Sequence, residues 1–259
     1  MTDDVQISTA GGIQTIRLNR ATKKNALTAA MYTAIADAIE AGDANPDVGV
    51  HVILGSGGVF SSGNDINDFL ATSKGASVPT PVLRFIRLLP RIEKPVVAGV
   101  DGPAVGIGTT LLFHCDLVYA TPGAVFATPF LDLGLVPEAA SSLLMPARMG
   151  YARAFEMLAL GTPFPASRMV EAGLINAVVS ASDLEAKAME AAQALASKPP
   201  EALQAARRLM RGDPAEIIKR TDAEAVTFAE RLMSPEAREA FQAFLEKRPA
   251  DFAKLRQKG

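Results

Sequence analysis

Two rhythms of hydrophobic and polar positions run along the chain, one with the period of a strand and one with the period of a helix. VQIS, the Gly11-Gly12 pair and IQTIRLN predict a strand, a tight turn and a second strand. After Thr28, the stretch AAMYTAIADAIEAG places apolar residues at helical spacing, so Thr28 is the expected N-cap and Gly42 lies near the expected end. VGVHVILGS is a β-branched run bounded by glycine and predicts another strand. FSSGNDINDF reads as a loop entering a helical turn. PVLRFIRLLPRIE is helical in pattern until Pro90 bends or breaks it. PVVAGVDG predicts a buried strand, GIGTTLLFHC an apolar helix opening on glycines, and DLVYAT and AVFAT two short strands.

From Pro137 onward the pattern is mostly helical, and LINAVV is the one clear later strand. Composition shifts near Ser197, where SKPPEAL opens a tail rich in Ala, Glu, Lys and Arg. The boundary is placed there. Residues 1–197 are expected to form an α/β core. Residues 198–259 are expected to form an appendage of about three helices, packed on the core or on a neighbouring subunit. No internal repeat and no low-complexity segment changes that division.

Composition narrows the function classes. A chain of 259 residues is long enough to bury roughly three quarters of the surface that its unfolded form exposes. Lys and Arg total 26 against 28 Asp and Glu, a net charge of −2. That balance gives no support to nucleic acid as a main partner, although a local basic pocket for a phosphorylated ligand is compatible with it. The single cysteine, Cys115, rules out an intrachain disulfide, and one cysteine with two histidines argues against a closed zinc site. MTDDVQIS is acidic and lacks the apolar run of a signal peptide, and RQKG is not a peroxisomal tripeptide signal. No stretch reaches the roughly 20 apolar residues of a membrane span. The expected location is therefore the cytoplasm.

Several stretches could carry chemistry. GPAVGIGTT has Gly106 and Gly108 but no third glycine at the dinucleotide-binding position and no Lys-Ser/Thr ending of a phosphate loop. Two readings of it stand: tight packing of a helix against the sheet, or a loop that lets a ligand approach free N–H groups and so favours an oxygen that becomes anionic. In SSGNDI, Gly63 precedes Asn64 and Asp65, and Asp65 alone could simply cap a helix. His51 sits in a strand-like run and His114 near the end of an apolar helix, so both read as structural. No G-x-S-x-G elbow occurs, which leaves a Ser-His-Asp hydrolase without support. Glu138 lies among Leu135, Val136, Pro137, Ala139 and Ala140. It is either a first-turn acid, worth about 0.3–1 kcal/mol against a helix dipole, or a general base whose pKa burial raises and a helix N-terminus lowers.

Taken together, FSSGNDI, GPAVGIG and FATPFLDLGLVPEAASS, in this order and spacing, resemble the crotonase superfamily. The early RATKKNAL resembles that family's first coenzyme A loop, and the likeness spans roughly residues 5 to 255. The resemblance implies a spiral ββα core with a C-terminal helical segment, and a homotrimer or a hexamer built as a dimer of trimers. The implied substrate is an acyl-CoA thioester, with coenzyme A part of the substrate and no separate cofactor or metal. Two backbone amides, matched to Asn64 and Ile107, would hold the thioester oxygen and stabilise an enolate. Gly63, Gly106 and Gly108 would shape the loops that deliver them, and Lys23, Lys24, Ala26, Asp65, Ile66 and Phe130 fall at substrate-binding positions. For Lys23 and Lys24 two readings stand, point charges on coenzyme A phosphates or a solvated loop.

Acids separate the subfamilies. Enoyl-CoA hydratases carry two glutamates, which would fall at Thr110 and Phe130 of this chain. The pattern SSGNDI with PFLDLGLVPEAASS is instead similar to peroxisomal-type 3,2-enoyl-CoA isomerases, whose base matches Glu138. The implied activity is a double-bond shift from 3-enoyl-CoA to 2-enoyl-CoA. The alternatives are another crotonase reaction, such as hydration or thioester hydrolysis, and a non-catalytic acyl-CoA-binding homologue.

Overall fold

A computed structural model describes residues 3–65 and 78–256. The expected opening hairpin is present: β1 (Val5–Ala10) pairs antiparallel with β2 (Ile13–Leu18) across the Gly11-Gly12 turn. Thr28 caps α1 (Ala29–Ala44), its hydroxyl accepting from the Met31 N–H at 3.3 Å. β3 (Val50–Leu54) follows, then α2 (Thr80–Leu88), which yields to a 3₁₀ turn at Leu89–Arg91 where Pro90 cannot continue the ladder. β4 (Val96–Val100) and β3 are buried at every position, as expected of parallel strands covered on both faces.

Each later turn of the chain adds one strand to a large sheet and one to a small sheet. β5 (Pro103–Val105), β6 (Leu117–Ala120) and β7 (Val125–Ala127) come in that order. β8 (Phe164–Pro165) and β9 (Ala177–Val178) complete the set. The large sheet runs β1-β2-β3-β4-β6-β9, parallel beyond the hairpin, and the small one β5-β7-β8. Alternation between the two sheets is the spiral ββα arrangement. It sets the β5 loop beside the chain that follows β3, through a parallel bridge between Ser61 and Ala104.

Two apolar layers flank the large sheet. On one face Ile16, Ile53, Ala98 and Val118 meet α1 and α2. On the other Val50, Val52 and Val97 meet Leu184, Ala188 and Ala192 of α7 (Leu184–Ala196). The remaining core helices are α3 (Ile107–Thr110), α4 (Ser141–Met149), α5 (Tyr151–Leu158) and α6 (Ala166–Glu171). Beyond Ser197 come α8 (Pro200–Arg211), α9 (Pro214–Leu232), α10 (Pro235–Leu245) and the short α11 (Ala253–Arg256). Phe228, Leu232, Ala237 and Phe241 from this segment join the same apolar cluster as the sheet. Among the described residues, no helix is long and apolar enough to cross a membrane.

Three local expectations change. GIGTTLLFHC is not one helix: a single α turn, Ile107–Thr110, tightens into a 3₁₀ turn at Leu111–His114 before Cys115 extends into β6. LINAVV contributes only Ala177–Val178, because its partners Tyr119 and Ala120 are the last residues of β6. β8 carries no alternating pattern and has Pro165 as its second residue, so only its pairing with β7 marks it as a strand.

Candidate active site

Two loops are locked side by side. The Leu27 N–H donates to the Gly63 carbonyl at 2.8 Å, and the Asp65 N–H donates to the Leu27 carbonyl at 2.9 Å. Asn64 lies between these bonds, so its own N–H turns away from Leu27, and it meets no acceptor among the described residues. The Val105 N–H donates to the Ser61 carbonyl at 2.9 Å, which ties the second loop to the first. Ile107 opens α3, where an N–H has no partner within the helix, and it too has none among the described residues.

Glycine is required for this approach at Gly63 and eases it at Gly108. Gly63 has φ +89°, and a Cβ there would stand 2.9 Å from the Val105 carbonyl oxygen. A Cβ at Gly108 would stand 3.0 Å from the Ser61 carbonyl oxygen and 3.1 Å from its Cβ. The Gly108 position therefore faces the backbone of the neighbouring loop at Ser61.

Glu138 is not a first-turn acid. α4 begins at Ser141, and Glu138 precedes it across Ala139 and Ala140, both left-handed at φ 54° and 56°. Each such alanine costs on the order of 1 kcal/mol or more, so the surroundings must impose the conformation. His114 Nε2–H donates to the Ala139 carbonyl at 2.8 Å. Glu224 of α9 accepts from the Ala140 N–H at 2.6 Å and the Ser142 N–H at 2.9 Å. It also accepts from the Ser142 hydroxyl at 2.5 Å.

The Glu138 carboxyl is only 7 % exposed and accepts a hydrogen bond from the Thr110 hydroxyl at 2.5 Å. Burial pushes its pKa up to about 8 against the opposing Thr110 bond, and the nearby Glu224 charge adds to the rise. Burial holds His114 down to about 3, so it is a neutral structural donor, as its position in the sequence suggested. His51 is likewise buried, with its ring nitrogens 2.9 Å from Gln14 Oε1 and 3.0 Å from Asp43 Oδ1.

Glu138 lines an apolar chamber of about 50 Å³ together with Leu27, Tyr32, Asn64, Val82 and Phe228. Tyr32 donates its hydroxyl to Asn64 Oδ1 at 2.5 Å. Burial and the Glu138 charge hold that phenol well above its ordinary pKa, so it stays neutral. Asn64 and Phe228 also border an open cleft of about 740 Å³. Lys23, Ala26, Gly63, Asp65, Gly106 and Phe130 line that cleft. Most of the residues singled out in the sequence thus line the chamber or the cleft, two cavities that share Asn64 and Phe228.

The others fall differently. Lys24 is exposed and lines neither cavity, and its carbonyl accepts from the Ser62 N–H at 2.9 Å. Ile107 and Gly108 also line neither cavity, and Asp65, though in the cleft lining, is paired with Arg20 at 2.8 Å. Ile66 lies outside the described residues. Sequence reading missed Tyr32, Phe228 and Glu224. A signal for the last existed: Ile217, Thr221, Glu224, Phe228 and Leu232 form one buried stripe on α9, and a carboxylate in such a stripe needs an explanation.

The family model for enoyl-CoA hydratase/isomerase matches residues 8–256. The chain belongs to this family. Membership in the enoyl-CoA hydratase/isomerase family places it in the crotonase superfamily, and its spiral fold agrees. An enoyl-CoA hydratase/isomerase structure from Pseudoalteromonas atlantica T6c superposes with a TM-score of 0.91 at 36% identity, covering 96% of this chain and 100% of that one. Rat enoyl-CoA delta isomerase 2 is 36% identical over 95% of this chain, and the chain spans 64% of that relative's length. The 2,3-dehydroadipyl-CoA hydratase of Escherichia coli (strain K12) is 30% identical, over 92% of this chain and 93% of the relative. Relatives named for different reactions therefore share the family with this chain.

Proposed function

We propose that the protein acts on acyl-CoA thioesters as a single-base isomerase, moving the double bond of a 3-enoyl-CoA into conjugation. The observation that carries this reading is that Glu138, among the described residues, is the one carboxyl lining the apolar chamber. Thr110 and Phe130 stand where the resemblance puts the two glutamates of a hydratase.

The chemistry follows from the groups present. The thioester carbonyl oxygen accepts hydrogen bonds from the backbone amides of Asn64 and Ile107. Ionised Glu138 removes a proton from carbon 2, and the electron pair moves onto that oxygen as an enolate. The protonated Glu138 then returns the proton to carbon 4, leaving the double bond between carbons 2 and 3. One carboxyl serves both transfers because the two carbons belong to one bound chain, so proximity replaces a second acid. A base held near pKa 8 is far better matched to a carbon acid than an ordinary carboxylate. A second reading, hydration of 2-enoyl-CoA, draws on the hydratase relatives and on the Thr110 hydroxyl, a polar group able to hold a water beside Glu138.

The pH dependence tests the role of Glu138. With a panel of 3-enoyl-CoA substrates, kcat/KM is expected to rise with pH and level off above about 8, because only the ionised carboxyl is a base. Stability should move the other way. The folded carboxyl keeps its proton up to about 8, whereas an unfolded chain releases it near 4.5. Between those values the unfolded state binds fewer protons, so the contribution of this group to stability falls as pH rises through that window. A flat kcat/KM between pH 6 and 9 contradicts the assignment of Glu138 as the base.

A further inference from the structure

We propose that Glu224 is a positioning residue for Glu138, clamping the left-handed turn that aims the Glu138 carboxyl into the chamber. The inference rests on the isomerase reading for its kinetic consequence and on geometry alone for its structural one. α4 begins without a cap of its own, because the residue before it is Ala140, which has no side-chain acceptor. Glu224 supplies that acceptor from a different helix. Its two oxygens divide the work: Oε2 takes the Ala140 N–H, and Oε1 takes the Ser142 N–H and hydroxyl.

The clamp acts on the residues that decide where Glu138 points. Ala139 and Ala140 are left-handed, and alanine does not hold that conformation unaided. Bonds reach this pair from two sides, His114 from the 3₁₀ turn after α3 and Glu224 from α9. A buried carboxylate is a costly way to cap a helix, but the cap position, Ala140, is itself buried and left-handed and lacks the extended backbone of an ordinary N-cap. What Glu224 adds is rigidity at the base and a negative charge beside it. The groups facing Glu138 are Tyr32 from α1, Thr110 from α3 and Glu224 from α9. Glu224 in turn faces Ser142 and the Arg220 guanidinium, which donates to the Ser142 hydroxyl at 3.2 Å.

Glu224→Gln leaves one acceptor oxygen for two N–H groups and removes the charge. The expected result is a loss of kcat of about 10²-fold, the scale set by a small misplacement of a catalytic group, with KM changed less than about twofold. The titration midpoint of Glu138, followed by carbon-13 carboxyl NMR and assigned by its absence in Glu138→Gln, should fall, because a like charge has gone. Ser142→Ala removes one donor from the clamp and should show a smaller kcat loss with KM held. It serves as the deciding variant if Glu224→Gln does not fold. A folded Glu224→Gln with unchanged kcat and midpoint overturns the proposal, as does a kcat loss matched by an equal KM rise with the midpoint unmoved. If the wild-type protein conjugates no 3-enoyl-CoA, the isomerase reading fails by itself. The backbone amide NMR signals of Ala140 and Ser142 still decide the clamp: their shift in Glu224→Gln, with that of the neighbouring Ala139, upholds it, and unmoved signals reject it.

Discussion

Glu138→Gln is expected to abolish the proposed conjugation of 3-enoyl-CoA and to leave acyl-CoA binding in place. The amide has the shape of the carboxyl and can still accept the Thr110 hydroxyl through its own oxygen, so the chamber keeps its form. What it loses is proton affinity. A positioned general base contributes about 10²–10⁴ in rate, and with no second carboxyl lining the chamber among the described residues nothing replaces it. The loss should therefore appear in kcat, at or beyond the upper end of that range, while the dissociation constant of a saturated acyl-CoA changes only a few-fold. The variant should also lose the decline in stability between pH 4.5 and about 8, because a neutral amide has no proton to release. Turnover near the wild-type level would reduce Glu138 to a structural group.

Gly108→Val is expected to cost about 10²–10³ in kcat, the scale for removing one oxyanion donor, although position 108 donates nothing in the mechanism. Its Cβ would press on the Ser61 carbonyl, the acceptor that ties the β5 loop to the chain carrying Gly63 and Asn64. Spreading these segments separates the Asn64 amide from the Ile107 amide. Asn64→Ala keeps its backbone amide and should lose much less turnover. It is not silent, however, since the Tyr32 hydroxyl loses its acceptor in a buried setting, at about 1–3 kcal/mol. Kinetics and thermal melts on both variants separate the effects: rate loss dominates for Gly108→Val and a lowered Tm for Asn64→Ala. Equal, small rate effects from the two would count against an oxyanion site formed by these loops.

The sequence pointed to the candidate site wherever a residue type has few alternative uses. The single glycine of SSGNDI and the three of GPAVGIG have to serve a turn or a close approach, and described residues of both segments line the cleft. A lone carboxylate among Leu135, Val136 and Pro137 needs a reason to be there, and Glu138 has one in the chamber. The central strands of the large sheet were equally readable: β4 is an unbroken apolar run, and β3 departs from one only at His51. Other features leave no local trace. Ala139 and Ala140 are ordinary helix formers in sequence, yet long-range bonds from His114 and Glu224 hold both left-handed and push the start of α4 past Glu138. The Tyr32–Asn64 bond joins positions that only the fold brings together. Likewise β8 is defined by its partner in β7 and not by any period of its own.

One preparation and one signal address the central claim, that a lone carboxyl moves a proton within a bound acyl chain. The absorbance of a conjugated enoyl thioester rises when 3-enoyl-CoA is isomerised and falls when 2-enoyl-CoA is hydrated. Measured above pH 8, where Glu138 is ionised, the account predicts a fast rise with 3-enoyl-CoA and little or no fall with 2-enoyl-CoA. A fast fall with 2-enoyl-CoA and no rise with 3-enoyl-CoA would contradict it and assign the site to hydration.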